Sequence, residues 1–375
     1  MDGSLEGDSL TAFVKQHPTD VLVVRSTKVP KETIDAASNL SLIVRAGAGV
    51  NTIDLASCSR LGIHVSNTPG QNAVAVAELT LALLLAVDRH IVEGAVALRE
   101  GTWDKARFSK AEGLAGRRLG IIGMGDIGRE VTRRALAFGM FVHATSRSLT
   151  AEQAAALGVV RRATPEQVAE NVDVLSVHLA LTPETRGSIG ASVFAALRPG
   201  ATFLNTSRAE IVDEDALLHA LNHNNLRAGL DVFLGEPAGG TGLIDHPVAR
   251  HPRVVGSHHI GASTEQAQGA VAAEVCAIIE GYRATGRVKN CVNLAIETAA
   301  THVLAIRHRD RVGVLAAVLG CLREANLNVQ EMENTIFAGG EAAIARIHIA
   351  GAPPPAATDR VRNVPDVLAV TLVRL

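Results

Sequence analysis

The segment Gly123-Met124-Gly125-Asp126-Ile127-Gly128 constrains the fold more than any other feature of the sequence. It follows Arg118–Gly123, whose apolar residues are typical of a buried strand, and it leads into Asp126–Phe138, which has helical periodicity. In this setting the three glycines permit a tight turn, close approach of the backbone to a pyrophosphate, and close packing of helix on strand. The motif therefore predicts a βαβ unit in which the helix N-terminus binds a dinucleotide.

The segment from Arg117 to His259 alternates short apolar runs with helical patterns. Near-continuous apolar strands separated by helices indicate a parallel sheet that is covered on both faces, so we predict a doubly wound α/β domain. The predicted strands are Arg118–Gly123, Phe141–Ser146, Val172–Leu179, Thr202–Ser207, Arg227–Phe233 and Arg253–His259. The predicted helices are Asp126–Phe138, Pro183–Leu197 and Asp213–Asn222.

A second α/β unit precedes this segment, and a third pattern follows it. The earlier unit has predicted strands at Val21–Ser26, Ser41–Ala46 and Ile63–Thr68, and the long apolar helices Ala73–Ile91 and Glu265–Arg283 flank the central unit. The last part has the β-α-β-β-α-β order of a ferredoxin-like domain. Its predicted elements are Thr301–Arg307, Val312–Ala325, Leu327–Phe337, Glu341–Ile349, a short helix after a proline-rich break at Ala352–Ala357, and Val367–Leu375.

We therefore expect three domains. Residues 1–91 and 262–298 are predicted to form a discontinuous substrate-binding domain. Residues 92–261 are predicted to form the dinucleotide-binding domain, and residues 299–375 the C-terminal domain.

Composition excludes several other classes of protein. A net charge of −2 and an aromatic content of 3% give no electrostatic or stacking basis for nucleic-acid binding. The longest apolar run, Leu79–Val87, is far shorter than the ~20 residues that span a bilayer. The acidic N-terminus does not resemble a signal peptide. The four cysteines form no CxxC pair, so we expect reduced thiols, no metal site and a cytoplasmic protein.

Three polar residues are candidates for catalysis, since Arg208, Glu236 and His259 each stand at or just after the end of a predicted strand. Ligands of open α/β sheets bind outside the carboxyl ends of the strands. Singly, each residue could be an ordinary surface or core side chain. Three of them at one sheet edge, beside a dinucleotide site, indicate an active site.

These residue types suit the oxidation of an alcohol beside a carboxylate. Histidine titrates near neutral pH and can take up or release the hydroxyl proton. A neighbouring carboxylate raises the pKa of the imidazole and fixes its orientation. A guanidinium group binds a substrate carboxylate through two hydrogen bonds. We assign these roles to His259, Glu236 and Arg208, respectively.

The end of the second predicted strand bears on the choice of dinucleotide. A carboxylate at this point would bind the ribose 2′-hydroxyl of NAD, but Ser146 and Arg147 occupy it. Arg147 could instead pair with the 2′-phosphate of NADP. Another interpretation is that Arg147 is a solvated surface residue. We therefore expect NAD or NADP as the cofactor, with NADP accepted.

Over nearly its whole length the sequence resembles the D-isomer-specific 2-hydroxyacid dehydrogenase family. The resemblance rests on the segments Val24–Ser26, Arg45–Val50, Asn67–Pro69, Ala77–Thr80, the glycine motif, Asn205–Glu214, Leu230–Phe233 and His259–Thr264. It implies a flavodoxin-like substrate domain and places Arg208, Glu236 and His259 at the family's catalytic positions. With the residues discussed above, the expected dinucleotide-binding set is Ala48, Gly123, Gly125, Asp126, Ile127, Gly128, Ser146, Arg147, Thr206, Ser207, Asp231, Ile260, Gly261 and Ala262.

The resemblance also implies a substrate site. In family members that oxidise 3-phosphoglycerate, basic residues stand at the positions of Arg25, Arg45 and Lys105, the last reaching over from a partner subunit. The loop around Gly47, Ala48 and Gly49 would offer backbone amides to the substrate carboxylate, beside Arg208. A homodimer or homotetramer is therefore expected.

The C-terminal segment resembles an ACT domain, a small-molecule sensor found in this family. By this resemblance His308, Asp310 and Asn328 are candidates for binding an amino-acid effector such as serine. The alternative is a domain that serves only oligomerisation.

Three functions remain open. The favoured one is oxidation of 3-phosphoglycerate at the entry to serine synthesis. The second is NADPH-dependent reduction of glyoxylate or hydroxypyruvate, which Ser146-Arg147 favours. The third is a dinucleotide-sensing binding protein, against which the complete arginine, glutamate and histidine set argues.

Overall fold

Three parallel strands near the N-terminus form a small sheet. The computed structural model describes residues 5–237, 241–295 and 297–375. The first elements are helix α1 (Gly7–Gln16), strand β1 (Val21–Val24), α2 (Lys31–Ala36), β2 (Leu42–Arg45), α3 (Leu55–Leu61) and β3 (His64–Asn67). The order across the sheet is β1-β2-β3. The three predicted strands are confirmed, each one or two residues shorter at its ends.

The order of these strands neither confirms nor contradicts the flavodoxin-like prediction. A flavodoxin-like sheet has the order 2-1-3-4-5, and its last three strands follow one another in sequence as the three described strands do here, so the flavodoxin-like fold of this unit stays a prediction. The described residues before β1 form a helix instead of another strand, and Leu10 and Val14 of that helix are buried.

Helix α4 (Ala73–Arg89) follows and buries much of its surface, including Thr80 and Asp88. It ends where His90 adopts a left-handed conformation, with φ of 52°. Because this residue changes the chain direction, the predicted helix Ala73–Ile91 stops early. Two further helices, α5 (Ile91–Arg99) and α6 (Lys105–Phe108), come next.

Seven strands then form a parallel sheet with the order β10-β9-β8-β7-β4-β5-β6. Its elements are β4 (Arg118–Ile122), α7 (Asp126–Ala137), β5 (Phe141–Thr145), α8 (Ala151–Ala156), β6 (Val160–Arg161), α9 (Pro165–Ala169), β7 (Val174–Val177), α10 (Ala191–Ala196), β8 (Thr202–Asn205), a 3₁₀ turn (Ala209–Ile211), α11 (Glu214–His223), β9 (Arg227–Leu230) and β10 (Val254–Gly256). This is the Rossmann order, in which the chain changes direction between β4 and β7. The predicted doubly wound sheet and its six strands are confirmed.

The predicted helix Pro183–Leu197 was mostly wrong, since helix α10 begins only at Ala191. Before it, Gly187 has a φ of 63°, which ends any helical path. The hydroxyl group of Thr185 also donates a hydrogen bond to the carbonyl of Ala180, which stabilises a turn.

Helix α12 (Glu265–Thr285) returns the chain to the small sheet. There Val275 and Ile278 pack against Leu42 and Val44 of β2. Strand β2 and helix α12, which lie far apart in the sequence, thus contribute to one small core. Of the helices in the described part of the chain, none has the length and apolar character needed to cross a membrane.

The last residues form a separate compact unit, Leu294–Leu375. It contains β11 (His302–Arg309), α13 (Val314–Glu324), β12 (Val329–Ile336), β13 (Ala342–Ile349), α14 (Pro355–Arg362) and β14 (Val367–Arg374). The strands are antiparallel in the order β12-β13-β11-β14. The predicted β-α-β-β-α-β order is confirmed. The predicted residue limits of the three domains stay predictions, and residues 1–4, 238–240 and 296 within them lie outside the described residues.

A buried ion pair holds α4 to the segment that enters the large sheet. Asp88 is fully buried, and its carboxylate accepts hydrogen bonds from Arg117 Nη1 at 2.7 Å and from the Gly113 amide at 3.1 Å. We expect Asp88→Ala to lower the free energy of unfolding by roughly 3–5 kcal/mol, because the buried guanidinium group of Arg117 then keeps only the more distant and partly exposed carboxylate of Glu112, at 3.6 Å.

Urea denaturation followed by circular dichroism measures this loss. The matched control is Asp245→Ala, which breaks the exposed pair of Asp245 with Arg250 and should cost at most about 1 kcal/mol. Equal losses in the two variants would contradict a stabilising role for the buried pair.

Candidate active site

A cleft of about 1850 Å³ lies at the carboxyl ends of the strands of the large sheet. Its walls include residues that follow β1 and β2, the start of α7, and the loops after β8, β9 and β10. Every residue that lines it belongs to the unit that ends at Asn293. All three predicted catalytic residues, Arg208, Glu236 and His259, line this cleft.

His259 and Glu236 form a hydrogen-bonded pair. The distance from His259 Nδ1 to Glu236 Oε2 is 2.7 Å. The other carboxylate oxygen, Oε1, accepts a hydrogen bond from the Phe233 amide at 2.9 Å. Because both oxygens have partners, the carboxylate is fixed, and it orients the imidazole so that Nε2 is the nitrogen left for a ligand.

The pair also shifts the pKa values of its members in opposite directions. The hydrogen bond to Glu236 raises the pKa of His259 above its usual value, although burial opposes this change. Burial alone would raise the pKa of Glu236, but the hydrogen bonds from His259 and from the Phe233 amide outweigh it and lower that pKa. The pair therefore favours an imidazolium beside a carboxylate, which suits a group that receives a proton.

Asp231 holds the loop that carries His259. Its carboxylate accepts hydrogen bonds from Ser257 Oγ at 2.6 Å, the Ile260 amide at 2.9 Å and the Gly261 amide at 2.8 Å. The His259 amide donates to the Asp231 carbonyl at 2.8 Å, and His259 has a φ of 53°. A left-handed conformation is unusual for a residue with a side chain and persists only where the surroundings hold it. Asp231, predicted to line the dinucleotide, thus also fixes the histidine.

Asn205 plays the same part for the loop that carries Arg208. Its Oδ1 accepts hydrogen bonds from the amide and the hydroxyl group of Ser207 at 2.9 and 2.7 Å, and its Nδ2 donates to the Arg208 carbonyl at 2.9 Å. Arg208 Nη1 also donates to the Ser207 carbonyl at 2.7 Å. We did not identify Asn205 as a site residue from the sequence, although an asparagine directly before a turn is a recognisable signal.

Three guanidinium groups line one part of the cleft, those of Arg25, Arg45 and Arg208. In the part of the chain that the structure describes, none of them has a carboxylate within 4.0 Å. Burial lowers the pKa of Arg45, and the charges of Arg208 and Arg25 add to that effect. Unneutralised cations that repel one another favour the binding of an anion.

Two glycines make room for these groups. A Cβ on Gly47 would lie 1.4 Å from Arg45 Nη1, and a Cβ on Gly49 would lie 2.9 Å from Arg208 Nη2. A side chain at either position would displace the end of an arginine side chain, and Gly47 also has a φ of 148°, which residues with a side chain rarely adopt. Glycine in the predicted substrate loop thus leaves the space beside the loop to the guanidinium groups.

The glycine motif has the geometry expected of a dinucleotide site. A Cβ on Gly123 would lie 2.4 Å from the His178 carbonyl oxygen, and a Cβ on Gly128 would lie 2.1 Å from the Gly123 carbonyl oxygen, so these glycines allow close packing. A Cβ on Gly125 would meet nothing within 4 Å, and this glycine lines the cleft at the start of α7. Among the described residues no side chain caps that helix, so its first amides can bind a pyrophosphate.

The structure brings most of the predicted ligand-binding residues into the cleft but not all of them. The predicted residues that line it, beyond the catalytic set, are Arg25, Arg45, Gly47, Ala48, Gly49, Gly125, Asp126, Ile127, Thr206, Ser207, Asp231, Gly261 and Ala262. Ser146 and Arg147 follow β5 outside the cleft wall, and Arg147 is exposed. Lys105, in α6, is exposed and also lies outside the wall.

The predicted effector residues lie in the C-terminal unit. Asp310 and Asn328 are exposed. His308 is 1% exposed, and its ring nitrogens lie 2.8 Å from the Arg309 carbonyl and 3.1 Å from Asn334 Oδ1. The structure therefore corrects the prediction for His308, because its ring is buried and engaged within the chain.

His178 is a cleft residue that we did not predict from the sequence. Its ring lies 2.8 Å from Ser176 Oγ, and burial lowers the pKa of His178 to about 3, so it is neutral at physiological pH. No motif pointed to it, because it ends an ordinary apolar strand. Within the described residues, no three histidine, cysteine, aspartate or glutamate side chains are grouped so that they could hold a metal ion.

The sequence and the structure are similar to those of known proteins. Residues 81–261 match the family model described as D-isomer specific 2-hydroxyacid dehydrogenase, NAD binding domain. The chain is 35% identical over 324 residues to the D-3-phosphoglycerate dehydrogenase of Bacillus subtilis (strain 168), covering 85% of this chain and 60% of that protein. It thus spans about three-fifths of the length of that relative.

Two further proteins match over most of their own length. The hydroxypyruvate reductase of Thermotoga maritima is 40% identical over 273 residues, which cover 72% of this chain and 86% of that protein. A crystal structure of NAD⁺-bound 3-phosphoglycerate dehydrogenase from Entamoeba histolytica has a TM-score of 0.64 and 28% identity, covering 78% of this chain and 87% of that one. The predicted dinucleotide site therefore lies in an NAD binding domain, and the chain belongs to the D-isomer specific 2-hydroxyacid dehydrogenase family.

Proposed function

We propose that this chain transfers a hydride between C2 of a small D-2-hydroxy acid and a nicotinamide dinucleotide. The observation that carries the proposal is the hydrogen-bonded His259–Glu236 pair, which shares the cleft with Arg208 and with the start of α7. A protein that only sensed the dinucleotide would have no use for an oriented acid–base pair. This argues for the enzyme over a binding protein.

The geometry supports the following roles. Arg208 binds the substrate carboxylate and holds C2 towards the cofactor. In the oxidation, His259 Nε2 accepts the proton of the C2 hydroxyl group. A bound nicotinamide dinucleotide would supply the acceptor for the C2 hydride. Glu236 stabilises the imidazolium that results. The products are the 2-keto acid, the reduced dinucleotide and one proton on His259. His259 releases this proton to water or, in the reverse reaction, donates it to the carbonyl oxygen of the keto acid.

We propose 3-phosphoglycerate as the substrate. It carries a carboxylate and a phosphate, and Arg25, Arg45 and Arg208 supply cations for both. The similarity to the Bacillus phosphoglycerate dehydrogenase supports this choice. The second candidate is NADPH-dependent reduction of glyoxylate or hydroxypyruvate, which the similarity to the Thermotoga reductase and the Ser146-Arg147 pair favour.

We further propose a homo-oligomer in which α5 packs against a partner subunit. Within the described chain α5 buries none of its residues, and Ile91, Val92, Val96 and Leu98 are all exposed. Trp103 beside it is 81% exposed. An apolar patch of this kind marks an interface. Lys105 follows this patch directly, so a partner could receive it in its cleft.

For the C-terminal unit we propose an ACT-like role as a sensor of an amino acid such as serine. Its β-α-β-β-α-β order supports the proposal. The exposed residues Asp310 and Asn328 are the candidate contacts.

We expect His259→Ala to reduce kcat by roughly 10²- to 10⁴-fold, since it removes the proton acceptor. Arg208→Ala should reduce kcat/KM by a comparable factor, because the substrate carboxylate loses its bidentate partner. The dissociation constant of the dinucleotide should change little in either variant. The control is His219→Ala, which alters an exposed histidine on α11 and should leave the rate unchanged. Full activity in His259→Ala would contradict the mechanism.

We expect Glu236→Gln to shift the pH profile of the oxidation. Neutral His259 is needed to accept the proton, and Glu236 raises the pKa of that histidine. Removal of the carboxylate lowers this pKa, so the acid limb of the kcat/KM profile should move to lower pH while the maximal rate falls. An acid limb at the wild-type pH would show that the pair does not control the proton transfer.

Initial rates distinguish the substrates and the cofactors. We expect efficient oxidation of 3-phosphoglycerate, whereas selective reduction of glyoxylate or hydroxypyruvate would overturn that substrate.

We also expect Arg147→Ala to raise the KM for NADP about tenfold and to leave the KM for NAD unchanged, because a charged hydrogen bond is lost. Arg133→Ala, an exposed arginine on α7, is the control. Equal effects on both cofactors would refute the role of Arg147.

A further inference from the structure

A buried pair of hydroxyl groups joins α4 to the loop that carries Arg208. Thr80 lies in α4 and is fully buried, and its Oγ1 is 2.8 Å from Oγ1 of Thr206. Thr80 Oγ1 also donates a hydrogen bond to the carbonyl of Val76, one turn earlier, at 2.8 Å. Thr206 stands two residues before Arg208, is 6% exposed and lines the cleft.

The two hydrogen bonds of Thr80 determine which hydroxyl group donates to the other. A threonine hydroxyl group has one proton and two acceptor positions. Since Thr80 donates its proton to Val76, the bond between the hydroxyl groups needs the proton of Thr206. Thr206 Oγ1 therefore has no proton left for a ligand, and its only remaining polar capacity is to accept.

We propose that Thr80 is a positioning residue that fixes Thr206 as a hydrogen-bond acceptor for the dinucleotide. The proposal rests on the proposed function, because it assumes that a dinucleotide occupies the cleft. The group that Thr206 recognises must then be a donor, an amide N–H of the carboxamide or a ribose hydroxyl group. A freely rotating hydroxyl group would also donate to carbonyl or phosphate oxygens, so the fixed direction adds specificity.

The test compares two substitutions of Thr80. Thr80→Val keeps the shape and removes the hydroxyl group, which frees the proton of Thr206, whereas Thr80→Ser retains the hydroxyl group. The matched control is Thr132→Val. Thr132 is a buried helical threonine whose hydroxyl group donates to the Gly128 carbonyl at 2.8 Å, and among the described residues its one further partner is the sulfur of Met124. The readouts are the dissociation constant of NADH by fluorescence titration and the melting temperature of the full chain.

We expect Thr80→Val to raise the dissociation constant of NADH roughly fivefold to tenfold, because the freed hydroxyl group of Thr206 is no longer held with its acceptor side towards the ligand. Thr80→Ser should bind as the wild type does, and Thr132→Val should lose stability without losing affinity. Thr206→Val, which removes the acceptor and leaves α4 unchanged, should weaken binding at least as much as Thr80→Val. It keeps the proposal testable if Thr80→Val does not fold.

A cofactor analogue identifies the donor. The 3-acetylpyridine dinucleotide lacks the carboxamide N–H groups. If the wild type and Thr80→Val bind this analogue with equal affinity, the carboxamide is the partner of Thr206. If Thr80→Val binds the analogue more weakly than the wild type does, the partner is a ribose hydroxyl group. The inference about Thr80 would be wrong, and the proposed function would stand, if Thr80→Val and Thr206→Val both bound NADH as tightly as the wild type does. It would also be wrong if Thr80→Ser lost as much affinity as Thr80→Val. A wild-type chain that bound no dinucleotide would overturn the proposed function as well.

Discussion

The candidate active site depends on two buried polar side chains that hold the loops at the ends of neighbouring strands. Asn205 fixes the turn that carries Arg208, and Asp231 fixes the loop that carries His259. Each makes three hydrogen bonds with groups of its loop, and neither loop is part of a helix or strand that would hold it otherwise. Rigid strand ends and satisfied buried partners thus give the reactive groups a defined geometry.

The same site gathers positive charge that its function explains. Arg25, Arg45 and Arg208 line one cleft, and burial together with the charges of Arg208 and Arg25 lowers the pKa of Arg45. Two glycines, Gly47 and Gly49, leave room for the guanidinium groups of Arg45 and Arg208 to lie against the loop. Such a cluster has no structural benefit of its own. It is what a site for a substrate with more than one anionic group requires.

Much of this could be predicted from the sequence, because it depends on local patterns. Apolar strands that alternate with helices indicated the parallel sheet, and the glycine motif indicated the turn before α7. The ends of those strands pointed to Arg208, Glu236 and His259. The remainder depends on tertiary contacts. The end of the predicted helix Pro183–Leu197 is an exception, because Gly187 is a local signal for a helix end that the helical pattern outweighed. Only the packed sheet reveals that His308 is buried.

The transfer of a labelled hydride tests the central claim most directly. The chain would be incubated with NAD and with D-3-phosphoglycerate that carries deuterium at C2, and the reduced cofactor would be analysed by proton NMR. The account predicts one deuterium at C4 of the nicotinamide in each reduced molecule, formed roughly 10²- to 10⁴-fold more slowly in the His259→Ala variant. Reduced cofactor without deuterium, or no reduction with any 2-hydroxy acid under conditions in which the dinucleotide binds, would contradict it.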